Sequence, residues 1–319
     1  MEAQIKSTSV SLSEAVQYAK ITNLADILYK QAVQNNDAAT QLNPTLQAYQ
    51  DILDDKEFQS LVDKDFLTNY YLLYNIQMND YIIPGNQDQV YYGFIAQNKR
   101  TKDYVVAIRG TENGLEAIAD AWFVPTTFNE FNNGAQVPSG FYDLYESGLI
   151  VSPPDSTLQI IPILLNIVAA DPSSIMPDAQ SVRTVVSGHS LGASLATYYA
   201  AAASVGLGKG MDLCVYTYAS PISGDATFAD TYNSSVGENH RIHNVPDIVP
   251  GLPVIWKNGA NIYVQVAGGY QIDSSKYSLV KPGAGCAHQL PVYQYVLENL
   301  NGTNDPGIIQ SYNDGACQA

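Results

Sequence analysis

The feature that most constrains this 319-residue chain is a run near its centre, VVSGHSLGASLATYYAAAA, residues 185–203. It begins with the β-branched residues of a buried strand and continues into strong helix formers. Between them lies G-H-S-L-G, in which Gly188 and Gly192 stand two places on either side of Ser190. A serine at such a sharp strand–turn–helix corner projects from a helix N-terminus, where negative charge is favoured. The pattern predicts a nucleophile, although the motif alone also fits an ordinary turn packed closely by glycines.

A serine nucleophile needs a base to take its proton and an acid to orient that base. In chains with this corner, the acid and then the base follow the serine in sequence. Of the four histidines, His189 lies in the corner itself, while His240 and His243 lie on a predicted strand. His288 lies in the glycine-rich run KPGAGCAHQLP, just before a helix, and follows a good acid candidate. It is therefore the predicted base, and its alternative role is that of a solvated residue at a helix start.

The predicted acid is Asp247, in the segment HNVPDIVPGLP. It follows the end of a predicted strand, in a loop stiffened by two prolines, and catalytic groups gather at that edge of a parallel sheet. Asp225 and Asp230 are rivals, but each falls in or beside the helix after the preceding strand. Asp247 also has an ordinary alternative, which is to cap its own turn.

Two backbone N–H groups are predicted to bind the oxyanion of a tetrahedral intermediate. The first belongs to Leu191, the residue after the serine. The second should come from a loop after an earlier strand, where the run VVAIRGTEN offers Arg109, Gly110 and Thr111, and Gly110 permits close approach.

Strands alternate with helices over most of the chain, which predicts a mostly parallel sheet covered on both faces. The first 75 residues are predicted to be helical, with Asn43 as an N-cap and Pro44 at the first helical position of one helix. QVYYGFIAQ and DYVVAIRG predict a hairpin. Later strands are predicted at 183–187, 213–219 and 240–245, with helices at about 190–205, near 225–232 and at 289–300. We expect one domain spanning 1–319, with the segment 1–75 packed on it.

Composition excludes several function classes. The formal charge of −16 repels nucleic acid and anionic bilayers, so neither is an expected partner. No apolar run is long enough to span a bilayer, and the longest, 158–170, contains Pro162. Its stretch 158–168 is expected to form a buried helix against the sheet, or else to line an acyl groove. Metalloprotease, P-loop and dinucleotide motifs are missing from the sequence, so no metal or cofactor is expected.

The compartment is left open by the sequence. The N-terminus lacks the pattern of a signal peptide, so either the chain is not exported by that route or a leader was trimmed. Cys214 is expected to be a small buried residue, whereas Cys286 and Cys317 would pair in an oxidising compartment or remain free thiols. Secretion is favoured only if a leader was removed, and a cytoplasmic location otherwise.

With these residues assembled, the chain resembles the class 3 lipase family of the α/β-hydrolase superfamily, which includes fungal triacylglycerol lipases and feruloyl esterases. The matching segments are VVAIRGT, SGFYDLY, VVSGHSLGASLA, YTYASPISGDATFA, IHNVPDIVPGLP and AHQLPVY, over residues 104 to about 294. The resemblance implies an α/β-hydrolase fold with Ser190 as nucleophile, Asp247 as acid and His288 as base. It also implies a Thr111 oxyanion contact.

The resemblance further implies a short helical lid after the oxyanion residue, for which the candidate is 112–128. This chain has Ala117 where fungal lipases carry a tryptophan, and Ala193 where the usual motif has a second glycine. The candidate lid or substrate-binding residues are Leu115, Ile118, Trp122 and Phe123. Leu115, Ile118, Ala119 and Trp122 would share one helical face, and an apolar stripe of this kind also fits ordinary core packing.

The expected function is hydrolysis of carboxylic esters, with a triacylglycerol lipase acting through an acyl-enzyme as the leading candidate. The substrate would be an acylglycerol or another ester, reached at a lipid–water interface. The alternatives are a feruloyl or short-chain esterase and a catalytically silent lipase-like binding module.

Overall fold

The computed structural model describes residues 9–79, 88–111, 123–257 and 259–311. Its α-helices, labelled α1 to α11 in chain order, are Leu12–Gln34, Ala38–Leu42, Leu46–Asp54, Phe66–Asn69, Ser139–Glu146, Leu165–Ala170, Leu191–Val205, Ala226–Ser235, Ala284–His288, Leu290–Leu300 and Gly307–Ser311. Its strands, β1 to β15, are Tyr70–Asn79, Gln89–Asn98, Tyr104–Ile108, Pro125–Thr127, Gln136–Pro138, Leu149–Val151, Ile163–Leu164, Arg183–His189, Asp212–Tyr218, Gly224–Asp225, Glu238–Asn244, Trp256–Lys257, Ala260–Asn261, Tyr263–Val264 and Gly269–Ile272.

Nine of these strands form one twisted sheet in the order β15-β11-β9-β8-β3-β2-β1-β6-β7. Neighbours from β3 to β15 pair in parallel, whereas β3, β2, β1, β6 and β7 pair antiparallel. The predicted hairpin is β2–β3, with Gly93 opposite Ile108. The sheet is therefore mixed, with its parallel half carrying the corner serine.

Two apolar cores lie on opposite faces of the sheet. Helices α5, α6, α7 and α8 cover one face. Helices α1, α3 and α10 cover the other, so the long N-terminal helix is part of the core and not an appendage. A central sheet with helices on both faces confirms the predicted fold class. Within the described ranges, no helix has both the length and the apolar composition to cross a membrane.

Two details of the predicted N-terminal segment were wrong. The helical region ends at Asn69, because β1 begins at Tyr70, which pairs with Asn98 of β2. The N-cap of α3 is Thr45, whose hydroxyl accepts the Ala48 N–H at 3.1 Å, and not Asn43. Pro44 accordingly lies before the helix.

The prediction of a buried helix over 158–168 was also wrong. The stretch contains the short edge strand β7 followed by the start of α6, and only part of it faces the core. Ile161 is 86% exposed, whereas Leu165 and Val168 are fully buried. Pro162 explains the difference, since proline cannot continue a helix and has no N–H to donate to a neighbouring strand.

The two glycines of the corner allow β8, α7 and β3 to approach one another. A Cβ on Gly192 would lie 2.2 Å from the Arg109 carbonyl oxygen, and one on Gly188 would lie 2.2 Å from the Gly192 carbonyl oxygen. Both neighbours are backbone atoms, which cannot move aside as a flexible side chain would. The sheet and α7 can therefore pack this closely only because both positions are glycines, which have no side chain.

We expect Gly192→Ala to lower the free energy of unfolding by about 3 kcal/mol, because the new methyl group forces β3 and α7 apart. Urea denaturation followed by circular dichroism would measure this. The matched control is Gly237→Ala, at an exposed position where a Cβ meets no atom within 4 Å. Equal stability of the two variants would contradict the close-packing argument.

Candidate active site

Ser190 lies at the corner between β8 and α7, in the strained conformation that the sequence predicts. Its φ of 55° and ψ of −128° are rare for a residue with a side chain, and its N–H donates to the Tyr218 carbonyl at 2.9 Å. The residue is completely buried. The conformation lifts the hydroxyl away from α7 and towards the loops at the carboxyl ends of the strands.

The side chains of Ser190, His288 and Asp247 form a continuous chain of hydrogen bonds. His288 Nε2 lies 2.8 Å from Ser190 Oγ, and His288 Nδ1 lies 3.0 Å from Asp247 Oδ2. The ionised carboxylate accepts only, so Nδ1 carries the proton and Nε2 is free to accept the serine proton. The structure thus brings together the three residues predicted as nucleophile, base and acid.

Three loops that lie far apart in sequence supply this chain. Asp247 follows β11, His288 ends α9, and both are almost fully buried. Carboxyl ends of parallel strands meet at one edge of a sheet, which explains why β8 and β11 bring their following residues together.

Asp247 is fixed by two further donors. The Val249 N–H donates to Oδ1 at 3.0 Å, and the Tyr293 hydroxyl donates to Oδ2 at 2.7 Å. Tyr293 in turn accepts from the Asn244 N–H at 3.1 Å. Burial and the neighbouring Asp247 carboxylate raise the pKa of Tyr293 well above its usual value, so it remains a donor.

Asn244 links the acid loop to the base loop. Its side-chain N–H₂ donates to the Ala287 carbonyl at 2.8 Å and to the Ser274 hydroxyl at 2.9 Å. The residue before His288 is therefore tied directly to the end of β11. Sequence reasoning assigned no role to Asn244 or Tyr293, although both lie inside the family-like segments that carry the acid and the base.

His189 holds the base loop from the other side. Its Nε2 donates to the His288 backbone carbonyl at 2.8 Å, and the two imidazole rings lie 5.0 Å apart. Burial, together with the nearby His288, lowers the pKa of His189 to about 3. It therefore stays neutral and keeps the tautomer that donates to this carbonyl.

The predicted oxyanion segment lies against the serine. A Cβ on Gly110 would lie 3.1 Å from Ser190 Cβ. The adjacent Thr111 hydroxyl is buried and has no hydrogen-bond partner among the described residues. Leu191 begins α7, where the first N–H groups have no intrahelical acceptor. Both predicted donors thus belong to segments that flank the hydroxyl of Ser190.

Arg109 fixes the start of this segment and was assigned no separate role from sequence. It is buried, donating from Nε to the Tyr91 carbonyl and from Nη1 to the Gly110 carbonyl, each at 2.7 Å. Its guanidinium lies 3.5 Å from the ring centroid of Tyr29 on α1 and 4.3 Å from that of Tyr92. The N-terminal helix therefore supports the oxyanion segment through a cation–π contact.

The remaining acids and histidines stay apart from the triad. Asp225 caps α8 by accepting the Phe228 N–H at 2.8 Å, and Asp230 is exposed on the same helix. His240 and His243 lie on β11.

Only residues 123–128 of the candidate lid lie within the described part of the chain. Leu115, Ile118 and Trp122 lie outside the described residues. Phe123 packs edge-on against Phe141, with ring centroids 5.7 Å apart, and its carbonyl accepts the Tyr263 hydroxyl. The following β4 pairs with β5, so 125–127 belong to the framework of the fold. The lid assignment stays a prediction for 112–122.

Comparison with known proteins agrees with this arrangement. The family model described as Lipase (class 3) matches residues 105–257. Secreted mono- and diacylglycerol lipase A of Penicillium cyclopium is 33% identical over 189 residues, which cover 59% of this chain and 54% of that protein. The chain thus spans about half the length of this curated relative. The predicted resemblance to the class 3 lipases is confirmed.

Solved structures share the fold. The Rhizomucor miehei triacylglyceride lipase is similar with a TM-score of 0.56 and 23% identity, covering 83% of this chain and 81% of its own. A triacylglycerol lipase described as having a serine protease triad as its catalytic centre gives a TM-score of 0.58 and 22% identity, covering 84% and 83%. The fold is therefore the α/β-hydrolase fold.

We expect Tyr293→Phe to lower kcat for a chromogenic ester about tenfold with little change in KM, because the variant loses a charge-assisted bond to Asp247 and no contact with substrate. Steady-state kinetics would measure kcat and KM separately. Tyr295→Phe is the matched control, since this tyrosine lies on the same helix and packs against Tyr277. A rise in KM alone would contradict the positioning role.

We expect the charge state of His189 to make stability depend on pH. Its pKa is about 3 when folded and about 6.5 when unfolded. Only the unfolded chain takes up the proton between these values, so stability is lost as pH falls through this window. Between pH 7 and 4.5 the wild type should lose about 2 to 3 kcal/mol more than His189→Gln.

Urea denaturation at the two pH values would test this. His243→Gln removes a half-buried histidine of β11 and should leave most of the pH dependence in place. An unchanged pH dependence in His189→Gln would contradict the assignment.

Proposed function

This chain is a relative of the class 3 lipases with an α/β-hydrolase fold, and from that premise we propose that it hydrolyses carboxylic esters of acylglycerols through an acyl-enzyme. The observation that carries the proposal is the unbroken hydrogen-bond chain from the Ser190 hydroxyl through His288 to Asp247. This is the arrangement that activates a serine hydroxyl at neutral pH.

In the first half-reaction, His288 Nε2 takes the proton of Ser190 Oγ as the oxygen attacks the ester carbonyl. Asp247 keeps the imidazole in the required tautomer and stabilises the imidazolium that forms. The imidazolium then gives its proton to the departing alcohol, leaving an acyl group on Ser190. Water, deprotonated by the same imidazole, releases the acid in the second half-reaction.

The oxyanion is proposed to bind to the backbone N–H groups of Leu191 and Thr111. The Thr111 hydroxyl, which is buried without a partner among the described residues, is a further donor for the same oxygen. Donors held in place before the reaction stabilise the developing charge without reorganisation. Arg109 and Gly110 would hold the Thr111 side of this pair.

Acylglycerols are the proposed substrate class because two of the similar proteins, the Penicillium cyclopium mono- and diacylglycerol lipase and the Rhizomucor miehei triacylglyceride lipase, are named for them. Tri-, di- and monoacylglycerols differ in how many glycerol hydroxyls are esterified. The chemistry at the ester carbonyl is the same for each. The complete burial of Ser190 supports a rearrangement on substrate access, and residues 112–122 are the proposed lid.

We further propose that the protein acts outside the cell. A relative is named as a secreted lipase, and Cys286 is disulfide-bonded. Disulfides persist mainly in oxidising compartments.

The nucleophile can be tested with a fluorophosphonate probe, which labels activated serines. We expect Ser190→Ala to abolish both labelling and ester hydrolysis, while Ser194→Ala, a buried change on the same helix, retains both. Wild-type protein that takes up no probe and turns over no ester would favour the silent binding module.

The substrate class can be tested with a series of p-nitrophenyl esters, emulsified mono-, di- and triolein, and methyl ferulate. We expect turnover of the acylglycerols, with a rise in rate above their solubility limit. Turnover restricted to methyl ferulate or to short-chain esters would favour the esterase alternative, and smooth saturation through the limit would argue against the lid.

A further inference from the structure

A second cluster of reactive side chains lies on the sheet, apart from Ser190. It is formed by Cys214 on β9 and by Glu238 and His240 on β11. Cys214 pairs with Val185 of β8 and with Glu238 of β11, in the amino-terminal half of these strands. His240 lies level with Ser187, three residues before Ser190 and two strands to the side, so roughly 14 Å separates it from the serine. The cluster is therefore independent of the ester-cleaving site.

The strand register explains why the three side chains converge. Glu238 pairs directly with Cys214 across the parallel strands, and His240 pairs with Tyr216. Side chains two residues apart on a strand lie on the same face, so Glu238 and His240 project side by side. His240 Nε2 lies 3.3 Å from Glu238 Oε1, and the possible ligand atoms of all three residues lie within 4.8 Å of one another.

Neighbouring groups already orient these side chains. The Tyr216 ring lies against the His240 ring, with centroids 4.6 Å apart. Arg183 Nη2 lies 3.1 Å from the other oxygen of Glu238, which leaves Oε1 facing the histidine. Arg183 also forms a bidentate pair with Glu14 of α1, at 2.6 and 3.2 Å, and Glu14 accepts the Tyr216 hydroxyl at 2.8 Å. Outer contacts of this kind fix the orientation of metal ligands.

We propose that Cys214, Glu238 and His240 bind a zinc ion, through sulfur, one carboxylate oxygen and Nε2, with water in the fourth position. One sulfur, one imidazole and one carboxylate are all ordinary zinc ligands, and zinc favours four-coordinate sites. The thiol proton is released to solvent as the sulfur–metal bond forms, while His240 binds as the neutral imidazole. Magnesium and calcium are excluded because they prefer oxygen ligands.

Charge balance supports a divalent ion. Glu14 and Glu238 contribute two negative charges and Arg183 one positive charge, and the Cys214 thiolate adds a third negative charge. A dication brings the sum to zero.

The bound ion would stabilise the docking of the N-terminal helix. Glu14 belongs to α1 and is linked to the cluster by its hydrogen bonds with Arg183 and with the Tyr216 hydroxyl. Zinc bound to Glu238 would fix the carboxylate that holds Arg183, and Arg183 would then hold α1. The role is structural, because the site lies too far from Ser190 to touch substrate.

The test uses the full chain, treated with a chelator and then titrated with zinc. We expect one zinc per chain by elemental analysis after desalting, and a thermal midpoint raised by about 5 °C at saturating zinc. Cobalt(II) is the spectroscopic probe, and a thiolate-to-cobalt charge-transfer band would report the Cys214 bond. Magnesium should give neither the shift nor the stoichiometry.

Two ligand variants and one control make the result specific. Cys214→Ser should remove the charge-transfer band, and both Cys214→Ser and His240→Gln should weaken zinc binding at least about 100-fold. His243→Gln removes a histidine from the other face of β11 and should bind as the wild type does. Failure of the wild type to retain zinc would overturn the proposal, as would unchanged binding in a folded His240→Gln protein.

Discussion

The close contact between the β8–α7 corner and β3 is the constraint on which the rest of the structure depends. Without side chains at Gly188 and Gly192, the backbone of α7 lies against the carbonyl groups of β3. This contact holds Ser190 in a conformation that an isolated chain would avoid. It also places Gly110 against the serine, so one packing event positions both the hydroxyl and the segment that would bind the oxyanion. Strain at a single residue persists because the sheet and helix around it leave no alternative.

The hydrogen bonds around His288 show how loops that are distant in sequence are fixed close enough for their side chains to bond to one another. The base loop is fixed at consecutive backbone carbonyls, that of Ala287 by Asn244 and that of His288 by His189. The acid is fixed by Tyr293 and by its own turn. Apart from the Val249 N–H of that turn, these donors come from a strand end or from a helix packed on the sheet, so the fold itself positions the triad side chains. Buried polar networks of this kind are rigid only when every member has its partner.

The fold class and the three residues of the hydrogen-bonded chain could be predicted from the sequence, because short local patterns in the chain indicate them. A strand–glycine–serine–glycine–helix run needs no long-range information, and chain order then limits the acid and the base. The missed residues depend on tertiary contacts. Tyr293 and Asn244 act only through Asp247 and Ala287, and Arg109 gains its support from Tyr29 on a helix eighty residues earlier. Pattern also misjudged 158–168, since apolar residues on an edge strand resemble those of a buried helix until Pro162 and the neighbouring strands are placed.

Helix α1 connects the two ends of the parallel strands. Near its start, Glu14 joins Arg183 at the amino end of β8 and the Tyr216 hydroxyl on β9, while near its end Tyr29 covers Arg109 beside Gly110. Between them, Thr22 shares a hydrogen bond with Ser187 in the middle of β8. A shift of α1 along the sheet would therefore disturb both the Glu14–Arg183 salt bridge and the contact between Tyr29 and the Arg109 guanidinium. Helix α1 is thus part of what positions the serine corner and the buried guanidinium beside Gly110.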